Sequence, residues 1–275
     1  MLDREEYVEQ AYFFKTLGER MLDNHSTQET LEAIGEEILS TTKLPHAVGY
    51  MLAELKHGGV LAPAMKRLGH YFTPFQSFVM GEAENDRSRF DLRVALEILR
   101  REAEYRAAEP TTQGIFLYQF ECLCRNRLGY DRGLEAMAAD PIFDQNWRKW
   151  IVTVRRQVGM VEIADLIYVR SEHYLHVQAQ AGHHDEVPPV LFGRREGQIA
   201  VANRKRDPLL LFAALHRQLG YPAIPRTRPE DLTHELVPQL LRRLERVEHR
   251  IKLVEEEQRG GIDLARYYKP PEQGE

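Results

Sequence analysis

DPLLLFAALHRQLGYP, residues 207–222, is the clearest single element in the chain. Asp207 suits a helix N-cap, because its carboxylate can accept free backbone N–H groups, and Pro208 suits the first helical position. Gly220 suits the left-handed residue that ends a helix, and Pro222 stops continuation. Between them Leu209 to Leu215 leave almost no polar face. A helix that is apolar all round has to be covered on every side, which predicts a buried helix over 208–219.

Just before it lies a basic run, Asn203-Arg204-Lys205-Arg206, and a little earlier Arg194-Arg195. Residues 190–228 hold 8 Lys/Arg against 2 Asp/Glu, whereas residues 1–109 hold 13 against 19. Guanidinium groups grip oxyanions bidentately, and helix N-termini attract anions. If both pairs converge on the start of 208–219, then Arg194, Arg195, Arg204, Lys205 and Arg206 make an anion site. Asp207 opposes a ligand at the cap itself. The plainer reading is a solvated turn, or pairing with the acidic N-terminal half.

Upstream, apolar residues recur every three or four positions, as helices require. Tyr7, Ala11, Phe14, Leu17 and Met21 mark a helix over about 3–23. Ser26 with Glu29 forms a capping box for the next. Further helices are expected over 46–57, to Leu68, from Thr73-Pro74, over 91–108, around Ile115 to Cys122, over 131–139, and from Trp147 to about Gly159. Residues 1–159 thus read as successive helices with short connections.

Residues 160–202 are ambiguous. Leu166 to Arg170 and His173 to Val177 read either as a hairpin or as helix, since short apolar runs fit both periods. Val190 to Ala202 offers a second hairpin. The expected architecture is therefore mainly α, a multi-helix domain of packed helix pairs. It carries a small β element around 165–202 and a long C-terminal helix. The regions are 1–159, helical; 160–228, mixed, with the buried helix; 229–259, an amphipathic helix; and 260–275, a flexible tail. Leu240, Leu244, Val247, Ile251 and Val254 form a seam suited to packing or to homo-oligomerisation through 240–258.

Composition narrows function. With 43% hydrophobic and 29% charged residues, the chain is an ordinary globular one. Its net charge of −5 gives no global affinity for nucleic acid. The opening MLDREEYVEQ lacks an apolar core, so no secretory leader is expected, and no run approaches the roughly 18 apolar residues of a membrane span. Cys122 and Cys124 are the two cysteines, which fits a reducing cytoplasm. On a helix their sulfurs lie about 200° apart and cannot share one metal.

Four histidines cluster: His173, His176, His183 and His184, followed by Asp185 and Glu186. Imidazole and carboxylate are zinc or iron ligands, but no His-Glu-x-x-His is present, and polar loop residues need no special role. Ser40-Thr41-Thr42-Lys43 matches a serine–lysine pattern without its partner motifs. Tyr71, Phe72, Phe75 and Phe78 either line a groove or simply fill the core. Two functions follow. The first is a non-enzymatic cytoplasmic interaction or scaffold protein with a protein partner, whose basic segment 194–206 meets an acidic partner, a nucleic acid or another polyanion, with no cofactor and no membrane. The second is a hydrolase using a divalent metal held by the 173–186 cluster.

Overall fold

Short polar residues ahead of apolar runs start the helices. In the computed structural model, which describes residues 2–22, 26–85, 90–157, 159–181 and 188–226, the Ser26 hydroxyl accepts the Glu29 N–H at 3.1 Å while Glu29 accepts the Ser26 N–H at 3.3 Å. That box starts α2 (Thr27–Glu37), after α1 (Arg4–Leu22). α3 (Leu44–Gly58) and α4 (Ala62–Arg67) follow. Thr73 and Gln76 make a second reciprocal box, with Pro74 at the first helical position, opening α5 (Pro74–Ala83). Asp91 caps α6 (Leu92–Ala107). The two units of the chain divide after Arg226. The expected helix 229–259, its oligomerisation seam 240–258 and the tail 260–275 lie outside the described residues.

The buried centre is α7 (Thr112–Asn126), in which ten successive residues, Gly114 to Leu123, are buried. Most of its buried polar atoms find an internal partner, the Gln119 Oε1 being an exception. Tyr118 donates to the Ile98 carbonyl at 2.8 Å. Glu121 pairs with Arg125 and accepts the Tyr221 hydroxyl at 2.8 Å. α8 (Tyr130–Ala138) crosses against it at Gly133, where a Cβ would come 2.6 Å from Leu123 Cδ2. The Phe116 ring lies 4.7 Å from Trp150, 5.6 Å from Trp147 and 6.4 Å from Phe192. The two tryptophans come from α9 (Gln145–Gln157) and Phe192 from beyond residue 160, so one aromatic cluster joins both parts of the sequence.

The layers are helix pairs: α1 lies along α6, α2 against α3, α4 against α5 and α8 against α9. α1 and α5 are linked by buried Gln10, which accepts from Gln76 at 3.1 Å and donates to the Tyr71 carbonyl at 3.0 Å. Tyr71, Phe72 and Phe75 are buried in the core.

Three expectations need correction. The first is the β element at 165–202, which is replaced by α10 (Ile163–Tyr168), α11 (Glu172–Gln180) and α12 (Arg194–Ala202). Ser171 is the reason. Its hydroxyl accepts the Tyr174 N–H and caps α11, so what reads as a hairpin turn is a helix start. One isolated parallel bridge, Ser171 to Phe192, is the only β pairing among the described residues.

The second concerns α13 (Pro208–Leu219). Its caps are as expected: Asp207 accepts the Leu209 N–H at 2.9 Å and Gly220 sits at φ 67°. It is not covered all round. Leu211, Phe212 and Leu215 are buried, but Leu209 is 47% and Leu210 53% exposed. No helix of the described residues is long and apolar enough to cross a membrane.

Candidate functional site

The third correction concerns the basic segment. Its two arginine clusters flank α12, whose nine residues at about 1.5 Å each hold them roughly 14 Å apart. They do not converge on the start of α13. Both helix starts are also occupied. Glu172 accepts the Arg194 N–H at 3.1 Å, ahead of α12, and Asp207 caps α13. Glu84 does the same for α4, taking the Leu61 and Ala62 N–H groups. The chain's own carboxylates satisfy the termini that an anion would seek. Arg204 is engaged too: its guanidinium lies 4.3 Å over the Tyr168 ring and its Nε is 2.6 Å from Asp165. Arg194 and Arg195 are exposed at the far end of α12, which leaves Lys205 and Arg206 as the exposed cations beside α13.

Of the histidine cluster, His173 and His176 lie on α11, while His183, His184 and Asp185 lie outside the described residues. His173 is half-buried, with its ring 6.1 Å from that of Tyr168. His176 is exposed and bonded to Gln180 at 3.0 Å. Among the described residues no three His, Cys, Asp or Glu side chains gather as metal ligands.

What the sequence did not point to is a groove beside the N-terminal end of α13. Its cavity is about 430 Å³, within the range of ligand and side-chain pockets. α7 contributes Phe120, Cys124 and Arg125, and α8 contributes Tyr130. The α9–α10 loop and α10 supply Gly159, Val161, Glu162, Ile163 and Leu166. α13 completes it with Asp207, Pro208, Leu209 and Phe212. Phe120 forms the floor, with its ring 6.4 Å from Tyr130 and 6.1 Å from Phe212.

The surroundings stay apolar at the surface. Tyr130, Val161, Leu209 and Leu210 are all more than a third exposed, and Met160 is 77% exposed. An apolar patch of this kind costs solvation free energy unless something covers it.

The polar groups of the groove are largely committed. Arg125 pairs with Glu121, and Glu162 accepts the Lys205 N–H at 2.9 Å. Burial pushes the Cys124 thiol up to about 11, so at neutral pH it stays protonated and unreactive. The thiol that faces this cavity is not activated, and its two carboxylates, Glu162 and Asp207, each accept a backbone N–H.

The chain segments that supply the lining are rich in cations, although the lining itself holds Glu162 and Asp207 beside Arg125. The stretches 124–132, 155–166 and 204–212 hold eight Lys/Arg and four Asp/Glu, in a chain whose net charge is −5. Arg127, Arg156, Lys205 and Arg206 are exposed and make no ion pair among the described residues. Arg127 and Lys205 also hold left-handed backbone, φ 54° and 55°, where glycine would be easier.

No family model, curated protein or solved structure matches this chain. The groove has to be read from its own chemistry.

Proposed function

We propose that this protein is a non-enzymatic helical interaction protein of the cytoplasm, and that the groove between α7, α10 and α13 is where its protein partner docks. The observation that carries the reading is the exposed apolar lining of one cavity, Tyr130, Val161 and Leu209, with exposed Met160 and Leu210 next to them in the chain. A monomer gains nothing by leaving that surface wet; a partner that covers it gains roughly 25 cal/mol for each Å² removed from water. Two features of the same groove speak against catalysis. Its thiol is held protonated, and its carboxylates serve backbone N–H groups. Both cysteines are free thiols, which suits a reducing compartment.

The test is photo-crosslinking from single positions in the native host. A benzophenone side chain at Leu210 should capture one discrete polypeptide. The same group at Leu39, 58% exposed on the connection after α2, should not capture it. Equal labelling from both positions, or none from Leu210, would remove the docking site.

A further inference from the structure

The groove also says what kind of segment fits it. Resting on the docking reading, we infer that the occupant is an acidic amphipathic helix of the partner protein. Its apolar side chains would seat between Tyr130, Val161 and Leu209, and its carboxylates would meet Arg127, Arg156, Lys205 and Arg206.

Three observations select this chemistry. Backbone recognition by an added strand needs an open sheet edge, and the described residues contain no strand, only the bridge between Ser171 and buried Phe192. An extended proline-rich ligand needs exposed aromatic rails, yet Phe120 and Phe212 are buried, at 4% and 2%, and Tyr130 stands alone at the surface. A small molecule in the cavity would leave Met160 and Leu210 exposed beside it. A helix is about 10–12 Å across, so its apolar face can lie in the cavity and cover both flanks.

Charge then sets the sign of the partner. Arg127, Arg156, Lys205 and Arg206 make no ion pair among the described residues, whereas Asp131 pairs with Arg155 and Asp165 with Arg204; Glu162 and Asp207 accept backbone N–H groups and keep their charge, which leaves two cations in excess. Two of those cations sit on left-handed backbone that would be easier for glycine, which fits side chains kept for what they contact. A single-stranded nucleic acid would find cations here, but only one exposed aromatic face on which to stack.

The experiment uses the full chain and two labelled probe peptides of about four helical turns. Both carry leucine on one face at i, i+3, i+4 and i+7. One has glutamate on the polar face and the other lysine. Fluorescence anisotropy should show the acidic probe binding at least tenfold more tightly than the basic one. Leu209→Glu should weaken the acidic probe by tenfold or more, and Lys205→Ala with Arg206→Ala should weaken it and flatten its salt dependence. Leu209, Lys205 and Arg206 are exposed, so a thermal melt should show each variant folded.

Equal binding of the two probes, both lost on Leu209→Glu, would keep the docking groove and overturn the acidic helix. Binding that ignores Leu209→Glu would overturn both. Tighter binding of a single-stranded RNA oligomer than of the acidic probe at the same salt would replace the helix by nucleic acid, and failure of the acidic probe to bind would likewise overturn the helical occupant.

Discussion

Replacing Arg106 by leucine is the most demanding test of how this core is held. Arg106 is the sole cation in a buried group of four polar side chains: Glu102, Arg106, Gln119 and Asp140, none more than 3% exposed. Its guanidinium bonds Glu102 at 2.8 Å and also Asp140. Gln119 donates to the same two carboxylates at 2.8 and 3.2 Å. The group ties α6, α7 and the turn after α8 together, because Asp140 also accepts the Ile142 N–H.

Removing one partner of a buried ion pair leaves an uncompensated charge and costs about 3–5 kcal/mol. Whole-protein stabilities are about 5–15 kcal/mol, so the loss is a large fraction of the total. In a unit of this size that corresponds to a fall in Tm of about 6–20 °C. The loss should also grow with pH. Burial raises the Glu102 pKa and Arg106 opposes that rise, so without Arg106 the fold holds the Glu102 proton to higher pH than either the wild type or the unfolded chain, and its stability falls further as pH rises. Urea unfolding followed by far-UV circular dichroism at pH 6 and pH 8 measures both effects. A loss below about 1 kcal/mol at pH 8, or one that shrinks as pH rises, would refute the reasoning.

Three further outcomes are expected. Burial raises the Glu102 pKa, so wild-type stability carries a contribution that is whole below the unfolded value and is lost as pH rises through the folded one. Glu102→Gln keeps the shape without the charge, so unfolding curves should favour it increasingly over wild type as pH rises; a constant difference across that range would be contrary. Gly197→Ala would place a Cβ 2.6 Å from Ser171 Cβ and 2.8 Å from His173 Cβ, wedging α12 away from the start of α11. It should cost about 1–3 kcal/mol by thermal melt, and an unchanged Tm would show that the two helices are not in that contact. Alkylation of native protein by iodoacetamide should be slow at Cys124 at pH 8 and rise toward its pKa of about 11; fast modification near neutrality would mean an activated thiol in the groove.

The helix starts were legible because capping is local. Ser26, Thr73 and Asp207 each act on an N–H within three residues, and Gly220 ends α13 as a left-handed residue. Burial was not legible, because it depends on partners far along the chain. α7 looks less apolar than α13, carrying Tyr118, Gln119 and Glu121, yet it is the buried helix; those side chains are answered by Ile98, Glu102, Asp140 and Tyr221. α13 reads as core, yet two of its leucines face water.

The site was legible only in its local parts. Lys205 and Arg206 were visible as part of a basic run, but the arginines at 194 and 195 are set apart from them by α12, and Arg204 is held by Tyr168 and Asp165. The groove joins residues near 124, 160 and 209, separations over which periodicity carries no signal. The nearest sequence clue was the excess of leucine at 209–211, more than one face of a helix needs to pack.

The most direct test of the docking groove is native mass spectrometry of the protein purified from its own cells, wild type beside Leu210→Glu. Leu210 is exposed, so the substitution should leave stability within about 0.5 kcal/mol. A stoichiometric extra polypeptide is expected on the wild type and not on the variant. A bare chain mass in both, or a partner retained by Leu210→Glu, would contradict it.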